Sequence, residues 1–124
     1  MPSLTLDDNN AQYQIRSYQP GTITVNDKTL SKSIIITPTA LIEDWAPQTI
    51  QDLTAESLNR IVEIRPDILL IGTGATMTFL SPEIYGELIN LGIGVEFMDT
   101  SAACRTYNAL SAENRNVAAA LLIR

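Results

Sequence analysis

Cys104 is the side chain with the most potential for chemistry, and it is the only cysteine among the 124 residues. The pattern around it predicts a helix over residues 101–114 with Thr100 as N-cap, which places the thiol near the helix N-terminus and beside Arg105. Both features lower the pKa of a thiol and favour the reactive thiolate. Free cysteine is also among the most often buried residue types. We expect a packed, unreactive Cys104 and keep a redox-active or acyl-accepting thiol as the alternative.

The same predicted helix carries further polar side chains but no catalytic partner for the thiol. Asn108 and Ser111 follow Cys104 at helical spacing, so the three residues share one face. Histidine is absent from the sequence, which excludes Ser–His and Cys–His catalysis and the usual zinc sites. No two carboxylates are forced together by their spacing. We therefore predict no catalytic residue, no cofactor and no bound metal.

A glycine-rich turn, Gly72-Thr73-Gly74, follows a predicted buried strand over residues 68–71. This is where a dinucleotide-binding loop would lie, but such a loop needs a third glycine and a helix that begins at once. Here the third position is Met77, and the next helix is predicted to begin at Pro82. We expect instead a tight turn with close approach of the backbone.

Asp99 and Thr100 follow the next predicted strand, residues 95–98, and both residue types commonly cap helices. The functional alternative is a small polar pocket, because ligands bind at the carboxyl ends of strands in such sheets. The candidate polar site, which we also call the polar edge, therefore consists of the residues predicted to meet at this edge: Gly72, Thr73, Gly74, Asp99, Thr100, Cys104, Arg105 and Asn108.

The elements that must position these residues form an α/β domain. Residues 1–11 are predicted to be a polar lead-in and residues 12–124 a single domain. Its first part is predicted as a β-meander and its second part as alternating strands and helices. Trp45 is expected to cover the edge of the core, with a partner-binding anchor as the alternative. The predicted strands are 13–18, 22–25, 33–37, 68–71, 95–98 and 117–123; helices are predicted over 54–64, from Pro82 to a stop at Gly92, and over 101–114.

Composition narrows the function classes. The formal charge is −6, and the 8 basic residues are scattered, which argues against nucleic-acid binding. The N-terminus has neither the basic-then-apolar pattern of a signal peptide nor the arginine-rich pattern of a mitochondrial presequence. No apolar run approaches the roughly 20 residues that span a bilayer. We expect a soluble, cytoplasmic protein without a transmembrane segment.

Several phrases, in this order and spacing, resemble the Mth938-type domain family: YQPGTITVND, IIITP, DLTAESL, ILLIGTG, GIGVEFMDTSAACRTYNAL and VAAALL. The resemblance covers the chain from about Tyr18 to Leu122. It implies a three-layer β/β/α fold with a mixed sheet. The family includes the mitochondrial assembly factor 3 of respiratory complex I, which implies a protein-binding factor that is not a known enzyme.

The resemblance also bears on the candidate site. The family's most characteristic positions correspond here to Gly72, Thr73, Gly74, Asp99, Thr100, Cys104 and Asn108. Many relatives carry a basic or polar residue after the GTG turn, where this chain has Ala75. This difference weakens the interpretation of the turn as an anion-binding pocket.

We predict a non-catalytic protein-interaction or assembly factor with an unidentified protein partner, and a respiratory membrane complex is the candidate client. The first alternative is a small-molecule-binding protein or enzyme that uses the polar edge. The second is a self-associating module with Trp45 at its interface. The sequence leaves the oligomeric state open.

Overall fold

A computed structural model describes residues 11–124, which form two β-sheets, three α-helices and two short 3₁₀ turns. The smaller sheet is an antiparallel meander of β1 (Ile15–Gln19), β2 (Thr22–Val25) and β3 (Lys28–Leu30). The larger sheet has the order β5-β4-β8-β6-β7. Its strands are β4 (Ile34–Ile36), β5 (Leu41–Ile42), β6 (Ile68–Gly72), β7 (Gly94–Met98) and β8 (Val117–Leu121).

Three α-helices connect and cover these strands: α1 (Asn59–Ile64), α2 (Pro82–Asn90) and α3 (Thr100–Ala112). The 3₁₀ turns, Ile50–Asp52 and Glu56–Leu58, precede α1. None of the helices in residues 11–124 has the length and hydrophobicity needed to cross a bilayer.

The larger sheet is mixed because its middle strand, β8, pairs antiparallel with β4 and parallel with β6. β6 also pairs in parallel with β7, so the carboxyl ends of β6, β7 and β8 meet at one edge. Every residue of β8 is buried, and Ala118, Ala119 and Ala120 form its centre. Small side chains at the centre of the strand let the layers on both faces approach closely.

Each face of the larger sheet has its own apolar core. On one face, Ile34, Ile36 and Leu70 pack against the meander and against Tyr107 of α3. On the other face, Ile35 and Ile71 pack with residues of α1, α2 and the Trp45 segment. The molecule therefore has three layers, and α3 shares the first face with the meander. This confirms the predicted three-layer α/β fold with a mixed sheet.

The strand predictions in the second half of the chain hold to within two residues, since the predicted strand 117–123 ends at Leu121, and those in the first half need correction. The third strand of the meander is β3, which was not predicted because it has only three residues. The predicted strand 33–37 is present as β4, but it belongs to the larger sheet, where both of its faces are buried. The two-residue β5 was also missed. The predicted lead-in, residues 1–11, lies outside the described residues except for Ala11.

Two predicted helices begin elsewhere. The prediction that a helix starts at Thr54 was wrong, since α1 begins at Asn59 after a 3₁₀ turn. The reason is local, because the Thr54 hydroxyl hydrogen-bonds with Ser57 and closes a short turn instead of capping a helix. The prediction of Thr100 as N-cap was also wrong. Asp99 is the N-cap of α3, and the helix ends at Ala112.

Candidate functional site

Three hydrogen bonds of Thr100 join the start of α3 to the turn after β6 and to the segment after β8. The N–H of Gly74 donates to Oγ1 of Thr100 at 2.8 Å, and that hydroxyl donates to the carbonyl oxygen of Leu122 at 2.8 Å. The N–H of Thr100 donates back to the carbonyl oxygen of Gly74, also at 2.8 Å. Thr100 is fully buried, so one hydroxyl links β6, α3 and the segment after β8 in the absence of competing solvent.

The two glycines of this turn are required by close approach. A Cβ on Gly72 would lie 3.0 Å from both Cα and Oγ1 of Thr100. Gly74 has φ +95°, and a Cβ there would overlap the carbonyl oxygen of Arg124 and lie 2.6 Å from its carbonyl carbon. The expected tight turn with close backbone approach is therefore present, and its glycines have a structural explanation.

Thr73 and Asp99 are likewise engaged in hydrogen bonds with the main chain. Oγ1 of Thr73 donates to the carbonyl oxygen of Thr76 at 2.7 Å and accepts from the N–H of Thr78 at 3.1 Å, which holds the loop after β6. A carboxylate oxygen of Asp99 accepts from the N–H of Ala102 at 2.8 Å, as an N-cap does. These contacts give both residues a role in positioning the backbone.

Asn108 links α3 to the meander. Its amide nitrogen donates to the carbonyl oxygen of Ile15 at 2.7 Å, and its amide oxygen accepts from the N–H of Ile15 at 3.0 Å. The side chain therefore satisfies both main-chain groups of one β1 residue, as a neighbouring strand would. At the preceding residue, the hydroxyl of Tyr107 donates to the carbonyl oxygen of Tyr13 at 2.8 Å. The two bonding side chains together fasten α3 to the start of the meander.

Cys104 lies at the base of a cavity of about 120 Å³ between β1 and α3. Its side chain is buried, and burial raises the pKa of the thiol to about 12. The positive charge of Arg105 lowers this pKa, whereas the negative charge of Asp99 raises it, and burial outweighs both. The thiol is thus protonated at neutral pH. This environment agrees with the expectation of a packed Cys104, since a nucleophilic thiol has a lowered pKa and the pKa of Cys104 is raised.

Arg105 is exposed and donates from a guanidinium nitrogen to the Ser101 hydroxyl at 2.9 Å on its own helix. With Arg16 and Ser17 of β1, it lines the mouth of the same cavity. The cavity therefore has two arginines at its mouth and the uncharged thiol of Cys104 at its bottom.

Tyr18 also lines this cavity and was missed by the sequence reasoning. Its hydroxyl donates to the carbonyl oxygen of Ile123 at 3.3 Å. Burial raises the pKa of Tyr18, and the nearby Cys104 and Asp99 raise it further, whereas a hydrogen bond with Thr100 lowers it. No spacing signal connects Tyr18 to Cys104, because the two lie at opposite ends of the sequence and meet only through packing.

The structure separates the candidate site into two groups. Gly72, Thr73, Gly74, Asp99 and Thr100 form a hydrogen-bonded corner at the carboxyl ends of β6 and β7. The other three residues face β1 on the flank of α3: Cys104, Arg105 and Asn108.

Metal binding has no visible basis in this part of the chain. Within residues 11–124, no three His, Cys, Asp or Glu side chains are grouped closely enough to hold a metal ion. Over the same range, every buried side-chain nitrogen or oxygen has a hydrogen-bond partner. The polar side chains of the corner thus form hydrogen bonds that hold the fold together.

The family profile described as a protein of unknown function, DUF498/DUF598, matches residues 15–122. The chain belongs to this family. A solution structure of a Bordetella pertussis protein described as an Mth938-like domain superposes with a TM-score of 0.80 at 34% identity, covering 90% of this chain and 86% of that one. The resemblance of this DUF498/DUF598 chain to the Mth938-type domain family is therefore confirmed.

Two curated relatives carry descriptive names. NADH dehydrogenase [ubiquinone] 1 alpha subcomplex assembly factor 3 of Danio rerio is 37% identical over 110 residues, which are 87% of this chain and 63% of that protein. The DUF498/DUF598 chain thus spans less than two thirds of the length of that relative. The 13 kDa major membrane protein of Francisella tularensis is 30% identical over 122 residues, covering 96% of this chain and 99% of that protein.

Proposed function

We propose that this DUF498/DUF598 protein is a non-catalytic, cytoplasmic assembly factor that binds protein and promotes the assembly of a respiratory NADH dehydrogenase. The observation that carries the proposal is the 37% identity over 110 residues to assembly factor 3 of Danio rerio. The matched part corresponds in length to nearly the whole folded domain described above. The domain itself is therefore the part of the molecule to which we assign the activity.

The chemistry of the polar edge supports a non-catalytic role. Its hydroxyl, amide and carboxylate groups bond to the main chain of the protein itself, and the pKa of the Cys104 thiol is raised to about 12. The adjoining cavity of about 120 Å³ is small beside the ~300–1,000 Å³ of typical ligand pockets. Binding of another protein needs neither a reactive side chain nor a deep pocket.

The test is deletion of the gene in the organism that encodes it. We expect the deletion strain to contain less fully assembled NADH dehydrogenase on native gels and to oxidise NADH more slowly in isolated membranes. Re-expression of the wild-type chain should restore both. Succinate oxidation serves as the control, because it enters the respiratory chain through a different complex. A deletion strain with a normal amount of assembled, active NADH dehydrogenase would refute the proposed function.

A small-molecule screen addresses the alternative use of the polar edge. A ligand present at 100 times its dissociation constant stabilises a protein by about 2.7 kcal/mol, which a thermal-shift assay detects. We expect no metabolite or nucleotide to shift the unfolding temperature. A hit that is lost on substitution of Arg105, the exposed residue at the cavity mouth, would favour a binding site there.

A further inference from the structure

β7 is an edge strand of the larger sheet. It pairs with β6 on one side, and no strand within residues 11–124 pairs with it on the other. The N–H of Gly94 donates to the carbonyl oxygen of Asp67, and the carbonyl oxygen of Met98 accepts from the N–H of Thr73, so the main chain at both ends of β7 points toward β6.

Main-chain direction alternates along a strand. Glu96 therefore also points its main-chain groups toward β6, whereas Val95 and Phe97 point theirs away from it. The N–H and C=O groups of these two residues form a short row on the open side of the sheet. Such a row can hydrogen-bond with an added strand.

The segment between β6 and β7 carries exposed apolar side chains, one of which packs next to this row. Met77, Phe79 and Ile89 are the large apolar residues in the described chain that remain exposed, at 48%, 73% and 49%. The ring of Phe79 meets the ring of Phe97 edge-to-face with centroids 6.0 Å apart, and the ring of Tyr85 meets it at 5.0 Å. Phe79 thus packs against the edge strand while most of its surface stays in contact with solvent.

Ile89 extends the apolar surface along α2. It lies four residues after Tyr85 and therefore on the same side of the helix. We call the open side of β7, together with Phe79, Tyr85 and Ile89, the aromatic edge. Exposed apolar side chains beside unpaired main-chain groups are typical of interaction surfaces.

The charge of this region has one sign. From Pro66 to Cys104 the sequence has no lysine or arginine, and its five acidic residues are Asp67, Glu83, Glu87, Glu96 and Asp99. Glu96 is exposed on β7 itself, and Glu87 is exposed on α2. A partner that covers the aromatic edge must complement negative charge as well as apolar surface.

We propose that the aromatic edge binds an extended segment of a partner protein in which apolar side chains alternate with lysine or arginine. The segment adds a strand beside β7 and hydrogen-bonds to the main chain of Val95 and Phe97. Its apolar side chains lie on the face of the sheet that carries Phe97 and α2, where they cover Phe79 and Ile89. Its basic side chains lie on the opposite face, near Glu96. The inference deepens the proposed function, on which it rests, by naming the surface and the kind of partner.

Charge argues against two other occupants. A second copy that pairs antiparallel about the centre of β7 brings one Glu96 directly opposite the other, and like charges in that position are destabilising. An anionic membrane surface would be repelled by the same carboxylates. A basic protein segment satisfies both the charge and the exposed main chain.

The first test measures binding of a synthetic peptide about eight residues long, enough to cross a typical strand, in which valine and phenylalanine alternate with lysine. Fluorescence polarisation gives the affinity, and amide NMR shifts locate the site. We expect shifts centred on Val95 and Phe97 and binding at least about tenfold weaker when glutamate replaces lysine, because like charges then meet. A peptide methylated on alternate main-chain nitrogens should also bind weakly, since it cannot form the strand hydrogen bonds.

Variants of the protein identify the surface. Val95→Pro removes an outward N–H from an edge strand, a position where proline is tolerated, and Val95→Ala is the control that removes side-chain packing but keeps the N–H. Glu96→Lys should shift the preference from the lysine to the glutamate peptide. Glu113→Lys, an exposed change at the end of α3, should leave the preference unchanged.

Several results would overturn the inference. Equal binding of the lysine and glutamate peptides, or shifts outside the aromatic edge, would contradict the assigned partner chemistry. Concentration-dependent dimerisation in sedimentation that Val95→Pro abolishes would assign the edge to a second copy. Flotation with vesicles of anionic phospholipid that Phe79→Ser abolishes would assign it to a membrane.

Complementation separates this inference from the proposed function. If wild-type protein rescues the deletion strain and the Val95→Pro and Phe79→Ser variants rescue it equally, the aromatic edge is not the working surface although the assembly function stands. If deletion has no effect on NADH dehydrogenase, the assembly function fails whatever the peptides show.

Discussion

Substitution of Thr100 by valine tests whether one hydroxyl holds the corner together. Valine has nearly the same shape, so the change removes the hydroxyl without opening a cavity. It leaves the N–H of Gly74 and the carbonyl oxygen of Leu122 without their 2.8 Å partner in a fully buried position. The expected effect is thus the cost of two unsatisfied main-chain groups.

The magnitude follows from those two groups. Each buried group left unpaired costs ~1–3 kcal/mol, so Thr100→Val should lower the free energy of unfolding by about 4 kcal/mol. Domains of ordinary stability unfold at a cost of ~5–15 kcal/mol, so the loss is a large part of the total. With a urea m-value of ~2 kcal/mol/M, the midpoint should fall by about 2 M.

Urea unfolding followed by circular dichroism measures this change, and Thr100→Ser is the matched control. Serine keeps the hydroxyl and loses one buried methyl group, so it should cost only about 1 kcal/mol. A valine variant within about 1 kcal/mol of wild type, or a serine variant at least as damaging as valine, would refute the hydrogen-bond explanation of the corner.

Three further changes test neighbouring contacts. Gly74→Ala should lower the unfolding free energy by at least ~2 kcal/mol, because φ is +95° and the new methyl group meets main-chain atoms. Gly86→Ala, with open space around the new methyl group, should instead stabilise α2 by up to ~1 kcal/mol, and thermal melts that rank the two variants otherwise would contradict this explanation. Burial holds the pKa of Cys104 near 12, so between about pH 9 and 12 the thiol ionises in the unfolded chain first and the unfolding free energy falls. In urea melts over this range, the unfolding free energy of Cys104→Ala should fall less steeply with pH than that of the wild type, and equal slopes would argue against a buried thiol. Asn108→Ala should speed hydrogen exchange at the Ile15 amide, and unchanged protection would show that this amide does not depend on the side chain.

Local signals in the sequence located the second half of the fold. Ser81 caps α2 as predicted, with Pro82 at the first helical position. Gly92, with φ +83°, ends the same helix. Each of these signals acts between residues close in sequence, and tertiary contacts do not oppose it.

The strands in the first half of the chain were harder to predict because two of them are very short and one pairs with a distant partner. β3 and β5 are too short to show a period, and only pairing with a neighbouring strand makes them extended. The assignment of β4 to the larger sheet depends on β8, more than 80 residues later in the chain.

The candidate site shows the same division between local and distant information. The positions of Asp99 and Thr100 at the start of α3 were foreseen, because a helix start is a local event. Their separate roles were not, because the Thr100 hydroxyl bonds to residues from two other segments. The pairing of Asn108 with Ile15, 93 residues away, has no signal in composition or spacing. Sequence reasoning also missed the aromatic edge, whose exposure depends on β7 lying last in its sheet.

The central position of β8 has a consequence for biosynthesis. β4 and β6 do not pair with each other in the larger sheet; both pair with β8, which follows them in the chain. While the ribosome adds residues at ~5–20 per second, these two apolar strands must wait for their common neighbour. The larger sheet can therefore be completed only once Val117–Leu121 has left the ribosome. Until then the nascent chain exposes strand edges whose main-chain groups are unpaired. We expect slow, late folding, as for other topologies of high contact order, and a nascent chain that gains from chaperone protection.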